Sequence, residues 1–479
     1  TTVAISPINP SIVAAGANDY RMVTVTGDVW FGVYVSADGG ATWFNTFIPG
    51  FPSDTSPAGL ASPLLGLDAS GDPVVRFDAN GNLYAAAIAF NRNFDQPDRP
   101  VDNLVYVAKY DYTPGTPGGT STAISAANPP NFTYSGTTVV ERGAVGFAVP
   151  GVIGFAGTFT DKEWMEIDLS APAASRCSGS VYVAHTDFHG AFGSSPIVFS
   201  RSTDGGKTFS QRVKISSGGS AGTGFNQGAD IAVAPNGTIY VAYAAFEKST
   251  SVSSINLTRS TDCGKHWSAP VVASVVQGPQ APGVAFRTPT FAVAAVDDTN
   301  SNVVYVAYQS FAGNPGDYDV YAQRSTDGGA SWGSPVQINT DPGARHQIFP
   351  TIEVSNHALH AAWYDFRNSV TPANEALDVY YSCTNCDGVA WPTFSDDTRV
   401  TDVSHNGNCL LFGGGTAAFH GDYIELDARW SGANHQVHVA WADNRDVSPC
   451  DLDSAPGPAS NNTGNRNENI YADSLTVAP

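Results

Sequence analysis

The sequence predicts an all-β chain, a seven-bladed β-propeller of four-stranded antiparallel blades, with residues 1–479 forming a single domain. Three observations carry this expectation. A turn pattern, Ser-x-Asp-x-Gly closed by an aromatic residue, recurs at Ser36–Trp43, Ser202–Phe209, Ser260–Trp267 and Ser325–Trp332. A strand of the type Tyr-Val-Ala-aromatic recurs seven times, and such fixed self-similarity marks repeat architectures. Finally, 48 Gly and 31 Pro in a chain with only 14% charged residues make turns frequent and a helical bundle improbable.

Taken in order, the seven recurring strands are 13–21, 83–92, 181–189, 239–247, 304–312, 359–367 and 437–445. A shorter strand precedes each, at 3–6, 74–78, 164–168, 230–234, 290–294, 351–355 and 423–427, and these would be the innermost strands. Period-two alternation and Gly/Asn turns support strands throughout, and four-stranded blades around an axis use all seven units.

In the repeated turn the Asp carboxylate accepts backbone N–H bonds, Gly takes the left-handed position and the aromatic ring packs between blades. These four turns resemble the Asp box of sialidase-like β-propellers (the BNR repeat), which in that family closes the hairpin between the third and fourth strands of a blade. The copy at 260–267 has His266 where Thr is usual, so a looser turn is expected there. The second, sixth and seventh units lack a good copy, although 382–394 resembles a degenerate one carrying Cys383-x-x-Cys386.

Charge excludes one class of partner. With 44 acidic against 23 basic residues the formal charge is −21, and a nucleic-acid backbone would be repelled. No stretch reads as a membrane span, because the most apolar segment, 143–159, is broken by Pro150 and several Gly. Thr1 is not a natural start, so a processed N-terminus is expected. Six Cys at 177, 263, 383, 386, 409 and 450, and sequons at Asn131, Asn236, Asn256 and Asn461, favour a secreted, disulfide-bonded glycoprotein that is a monomer. A zinc site at Cys383-x-x-Cys386 would need a second pair of ligands that the sequence does not offer.

The loops after the second strands and those entering the innermost strands share one face of such a fold, away from the repeated turns. At the ends of the second strands, three units carry Asp-x-Arg: Asp19 with Arg21, Asp365 with Arg367, and Asp443 with Arg445. Each is either a structural ion pair or an Arg clamp for a substrate carboxylate; 17 of the 23 basic residues are Arg, the planar two-pronged partner of carboxylates. Entering the innermost strands are Asp72, Asp161, Lys162, Glu163, Gln227, Arg287, His346, Gln347, His420 and Asp422, an uneven polar funnel. At mid-strand, Glu166, Glu353 and Glu425 would crowd one axis unless Arg76 pairs with one of them or a Ca²⁺ binds there.

The seven-unit count resembles the uronate lyases of ulvan and rhamnosyl-glucuronate type rather than the six-bladed sialidases. That resemblance implies an acidic oligo- or polysaccharide as substrate, cleaved by β-elimination, with rhamnose-glucuronate linkages as one candidate. Such a reaction needs a cation on the carboxylate, a base and an acid. His185, His346, His420, Tyr243 and Tyr308 are the candidates for proton transfer. Arg21, Arg287, Arg367, Arg445, Gln227 and Asp187 are the candidates for substrate binding. Two further readings stay open: an exo-sialidase-type glycoside hydrolase, for which Asp187, Asp365 and Asp443 supply carboxylates, and a non-catalytic glycan-binding propeller.

Overall fold

The computed structural model describes residues 1–22, 28–91, 102–121, 124–143, 157–190, 194–216, 225–246, 252–277, 280–311, 316–341, 343–370, 376–412, 417–448, 465–466 and 468–479. The fold is all-β and of the seven-bladed β-propeller class. Six sheets are four-stranded, antiparallel and ordered as the chain runs, beginning at Thr2–Ile5, Ala69–Phe77, Thr158–Ile167, Phe225–Val233, Val293–Val296 and Gln347–Ser355. The seventh sheet, of Glu425–Trp430, His435–Asp443 and Asn469–Val477, shows three strands among the described residues rather than the expected four.

Two compact units are present. One comprises Val3–Ser249 and Asn256–Val271, the other Thr1–Thr2, Thr250–Ile255 and Val272–Pro479. Each has its own apolar core. In the first, Trp30, Phe31, Tyr106 and Tyr110 are buried with the small residues Ala85, Ala87 and Ala89 of the strand Leu83–Phe90. In the second, Trp363 packs with Tyr305, Leu359 and Ile352. Each fully buried large side chain contributes about 1.5–3 kcal/mol, and the near-continuous apolar second strands follow from burial on both faces of the sheet.

All seven second strands lie where the repeat places them, from Val13–Asp19 to His435–Asp443. The innermost strand of the fifth sheet is Val293–Val296, a few residues beyond the expected 290–294. The expected strand ends at Arg92, Glu247 and Ala312 fall outside the described residues, as do Cys450 and Asn461. One feature escaped the sequence reading. Three innermost strands carry a β-bulge near their start, with register shifts at Gly71/Val74, Gln227/Asp230 and Ile348/Thr351. A left-handed residue sits at each, Asp72 (φ 56°), Gly228 (φ 67°) and Phe349 (φ 50°), and Lys162 (φ 56°) is its counterpart in the third sheet. Such bulges re-aim side chains at a sheet end.

The repeated turns join third to fourth strands. Asp38 accepts the Thr42 backbone N–H at 2.8 Å and its hydroxyl at 2.6 Å, while Ser36 Oγ accepts the Gly40 N–H at 2.8 Å. The turn with His266 is not looser: the His266 N–H reaches Asp262 at 2.9 Å and its Nδ1 at 2.6 Å, so the imidazole replaces the hydroxyl. Trp267 packs against Phe199 of the preceding sheet with ring centroids 4.7 Å apart. Disulfides join Cys177 to Cys263 and Cys383 to Cys386, the latter across the degenerate turn, and Cys409 is also disulfide-bonded. Of the sequons, Asn236 is exposed and Asn131 half-buried, but Asn256 is buried within a strand and is not an accessible acceptor.

Candidate active site

Several expected site residues are buried. Tyr243 is fully buried in the core, and Tyr308 is buried with its hydroxyl donating to Gln323 at 2.7 Å. Neither has a face for substrate. His420 is fully buried between Phe286 and Tyr364, its Nε2 3.3 Å from His405 Nε2 and its Nδ1 3.2 Å from Glu468. His405 in turn lies 3.3 Å from Asp443, and burial lowers its pKa. All of these groups are buried, and His405 Nδ1, His420 Nδ1 and Glu468 Oε1 make no hydrogen bond.

Each Asp-x-Arg motif forms an ion pair. Arg21 donates to Asp19 at 2.9 Å and to Asn45 at 2.7 Å. Arg367 bridges Asp365 and Asp397 at 2.6 and 2.7 Å while stacking over Tyr380. Arg445 does the same between Asp443 and Asp402 over Tyr471. Arg287 is half exposed but its guanidinium is paired with Asp422. These cations are already neutralised, so a substrate carboxylate would have to displace an internal one. Gln227 sits half-buried at the bulge of its strand. Lys162 pairs with Asp72 at 3.1 Å, and beside them burial pushes the Glu163 carboxyl well above the usual range.

Of the mid-strand glutamates, Glu166 pairs with Arg76 at 2.7 Å, and Glu353 accepts the Val354 N–H at 2.9 Å. Glu425 is buried. Among the described residues, the groups of carboxylate and imidazole atoms close enough to share an ion are elsewhere, at Glu141, His185 and Asp187 and at Asp297, Asp298 and His357.

A different cluster gathers on the expected face of the second unit, at the end of the fifth sheet. Its second strand, Val304–Ser310, leads through a connection to Asp317 and Tyr318, and the third strand starts at Asp319. Asn339, just after the fourth strand Val336–Gln337, is a hub. Its side-chain amide donates to Asp319 at 2.8 Å, to Asp341 at 2.7 Å and to Gln347 at 3.1 Å, and its oxygen accepts the Val320 N–H. The backbone between the two aspartates is clamped from the sixth sheet. The Tyr318 N–H donates to His346 Nδ1 at 3.0 Å, Gln347 N–H donates to the Tyr318 carbonyl at 2.7 Å, and His346 Nε2 donates to the Pro282 carbonyl at 2.9 Å. Both ring nitrogens of His346 are therefore committed.

The carboxylates of this cluster differ. Asp319 has both oxygens engaged, by Gln337 and Asn339 on one and Tyr321 on the other. Asp317 Oδ1 and Asp341 Oδ2 are buried without a hydrogen-bond partner. Burial, reinforced by the charges of Asp319, Asp341 and Asp365, pushes the Asp317 carboxyl up to about 7, with Arg345 opposing. Asp365 is likewise raised by burial, against the pull of Arg367. An acid raised toward neutrality and set among other carboxyl groups is the arrangement of general acid catalysis. In sequence the candidate positions of this unit were Ser310 and Ala312; Asp317 and Asp341 lie in the connections beyond, with Asp319 at the start of the third strand.

No family model matches the chain, and no curated protein matches it. Solved structures similar to it include a Hadza microbial sialidase, 13% identical over 86% of this chain and 70% of that one with a TM-score of 0.43. A Trypanosoma rangeli sialidase in complex with 2,3-difluorosialic acid is 14% identical over 79% and 52%, with a TM-score of 0.41. Penicillium chrysogenum alpha-L-arabinanase complexed with arabinobiose is 18% identical over 60% and 76%, with a TM-score of 0.38. At such low identity and overlap the chemistry has to be read from the residues themselves.

Proposed function

We propose that the protein is a carbohydrate-active enzyme of the glycoside hydrolase type, with Asp317 as general acid and Asp341 as the second carboxylate. Asp317 gives its proton to the leaving glycosidic oxygen as the C–O bond breaks. Asp341, with one oxygen held by Asn339 and the other unpartnered, faces the sugar carbon, where it serves either as base for an incoming water or as nucleophile. The observation that carries this reading is the Asp317 carboxyl raised to about 7 amid other carboxylates. Elimination is less well supported, because His346 and His420 are buried in internal networks. The charge of the cluster also argues for a neutral sugar rather than an acidic one. Four aspartates face Arg345 and an Arg367 already bound to Asp365 and Asp397, and a uronate or sialate would meet net repulsion.

The test is a panel of neutral and acidic glycosides and polysaccharides, with reducing ends and unsaturated uronates followed separately. New reducing ends from a neutral substrate, lost in Asp317→Asn, support the proposal. Unsaturated product overturns it in favour of elimination, and binding without turnover returns the glycan-binding reading. Proton NMR of the first product anomer distinguishes the two roles of Asp341.

A further inference from the structure

The first unit holds a second constellation that the hydrolase reading does not use. Glu141, at the end of the strand Phe132–Arg142, meets His185 and Asp187 of the strand Val181–His189. His185 Nε2 lies 3.3 Å from Glu141 Oε2 and 3.3 Å from Asp187 Oδ1. His185 and Asp187 are 0% and 1% exposed, yet both ring nitrogens of His185, Asp187 Oδ1 and Glu141 Oε2 lack a hydrogen-bond partner. The distances are close but the directions do not make hydrogen bonds. In the sixth and seventh sheets the corresponding Asp365 and Asp443 are satisfied by a Trp indole N–H, at 2.9 and 3.1 Å. Here the histidine stands in the place of that Trp, and a glutamate is added.

We propose that Glu141, His185 and Asp187 bind a divalent transition-metal ion, zinc in the first instance. Donors about 2.0–2.2 Å from such an ion at tetrahedral or octahedral angles are roughly 3.0–3.5 Å from one another, which is the spacing of the imidazole nitrogen from each carboxylate oxygen. Arg212 completes the site from outside. Its NH1 contacts Asp187 Oδ2 at 2.8 Å and also Glu141 Oε1, so it holds the far oxygen of each carboxylate while the near ones converge with His185. Supporting partners of this kind orient metal ligands. Two carboxylates face a single guanidinium here, and a dication would offset the excess of acidic groups. An imidazole among the donors selects against Ca²⁺ and Mg²⁺, which take oxygen ligands. His189, 4.0 Å from Asp187 and 40% exposed, lies at the solvent side, where a water or ligand would complete the coordination.

The full chain, treated with chelator and dialysed, is titrated with Zn²⁺ by calorimetry, and its melting temperature is followed in parallel. The proposal expects one equivalent bound with a rise in melting temperature, no competition from equimolar Ca²⁺, and at least tenfold weaker binding in Glu141→Gln and Asp187→Asn. Co²⁺ in place of zinc should give visible bands that His185→Gln removes or shifts. Because His185 is buried, Glu141→Gln, at a partly exposed position, keeps the test open if His185→Gln does not fold. No saturable uptake by the wild-type chain overturns the site, as does unchanged binding in a folded Glu141→Gln. Loss of binding in Asp298→Asn instead would move the ion to the group of Asp297, Asp298 and His357 and equally overturn it.

Discussion

Two aspartates of the fifth sheet stand at opposite ends of one strand. Asp327 closes the turn after the strand Asp319–Ser325, and hydrogen bonds from the Ser331 hydroxyl, the Ser331 backbone and the Ser325 hydroxyl hold its pKa down to about 2 although it is fully exposed. Asp317, just before the same strand, has a buried oxygen with no partner and is pushed up to about 7. The residue type is the same; the number of donors around it is not. A carboxylate met by donors in a turn is scaffold, repeated wherever the turn recurs, as at Asp38 and Asp204, both lowered to about 2. A carboxylate denied donors and surrounded by its own kind is available for chemistry; Asp317 is one such group, and Glu163 of the third sheet, raised by burial beside Asp72 and Asp161, is another.

The largest effect expected from this contrast is on turnover. Asp317→Asn should cost about two to four orders of magnitude in kcat, the usual contribution of a positioned proton donor. Asp327→Asn should leave turnover within a factor of about two on the substrate found. Equal losses in both variants would mean that Asp317 acts through folding and not through its proton.

A step down in size is His346. Its clamp on the Tyr318 N–H places Asp317 and Asp319, and a misplacement of about 1 Å can cost about a hundredfold. His346→Ala should lower kcat about ten- to a hundredfold with little change in KM, and the basic limb of its pH profile should move, because loosening the segment lets water reach Asp317. A His346→Ala enzyme with an unshifted profile and native kcat would show that the clamp is irrelevant.

How much of this was legible in the sequence differs between the two ends of the sheet. The turns were readable because their function is local: Ser325, Asp327 and Ser331 satisfy one another within seven residues, so the pattern carries its own explanation. The seven second strands were readable for the same reason, through apolar runs such as 83–90 that must be buried. The acid site was not. Asp317, Asn339 and Asp341 come together only through the pairing of third and fourth strands, and His346 reaches them from the next sheet, so no short spacing encodes the group. The environment of His346, a backbone N–H on one nitrogen and a carbonyl on the other, is likewise invisible in sequence. The Asp-x-Arg motif was legible as a repeated local spacing, as the turns were, and its ion pairs form within each strand end.

The pH dependence should separate the ends further. Asp317 must hold its proton to act, so activity should fall as pH rises through about 7, and the limb should vanish from whatever residual rate Asp317→Asn retains. A rate that climbs steadily from pH 6 to pH 9 would remove Asp317 from the acid role.

The smallest effect, on stability, should have opposite signs at the two positions. Asp317 has a folded-state pKa raised from 3.8 to about 7, so the folded protein holds a proton that the unfolded chain releases; stability falls as pH rises from about 4 to 7, and above that range the whole penalty is present. Replacing it by Asn removes the penalty, and Asp317→Asn should melt slightly higher than the wild type at pH 8. Asp327 has its folded-state value lowered from 3.8 to about 2, so its contribution is present above about pH 4 and is lost as pH falls toward 2. Asp327→Asn should therefore melt slightly lower than the wild type at pH 8, and the gap should close in acid as the wild-type carboxylate is protonated. Differential scanning calorimetry of the two variants at pH 8 and at pH 3 reads both signs. Two shifts of the same sign at pH 8 would mean that the two carboxylates do the same work, and the division between scaffold and site would have to be drawn elsewhere.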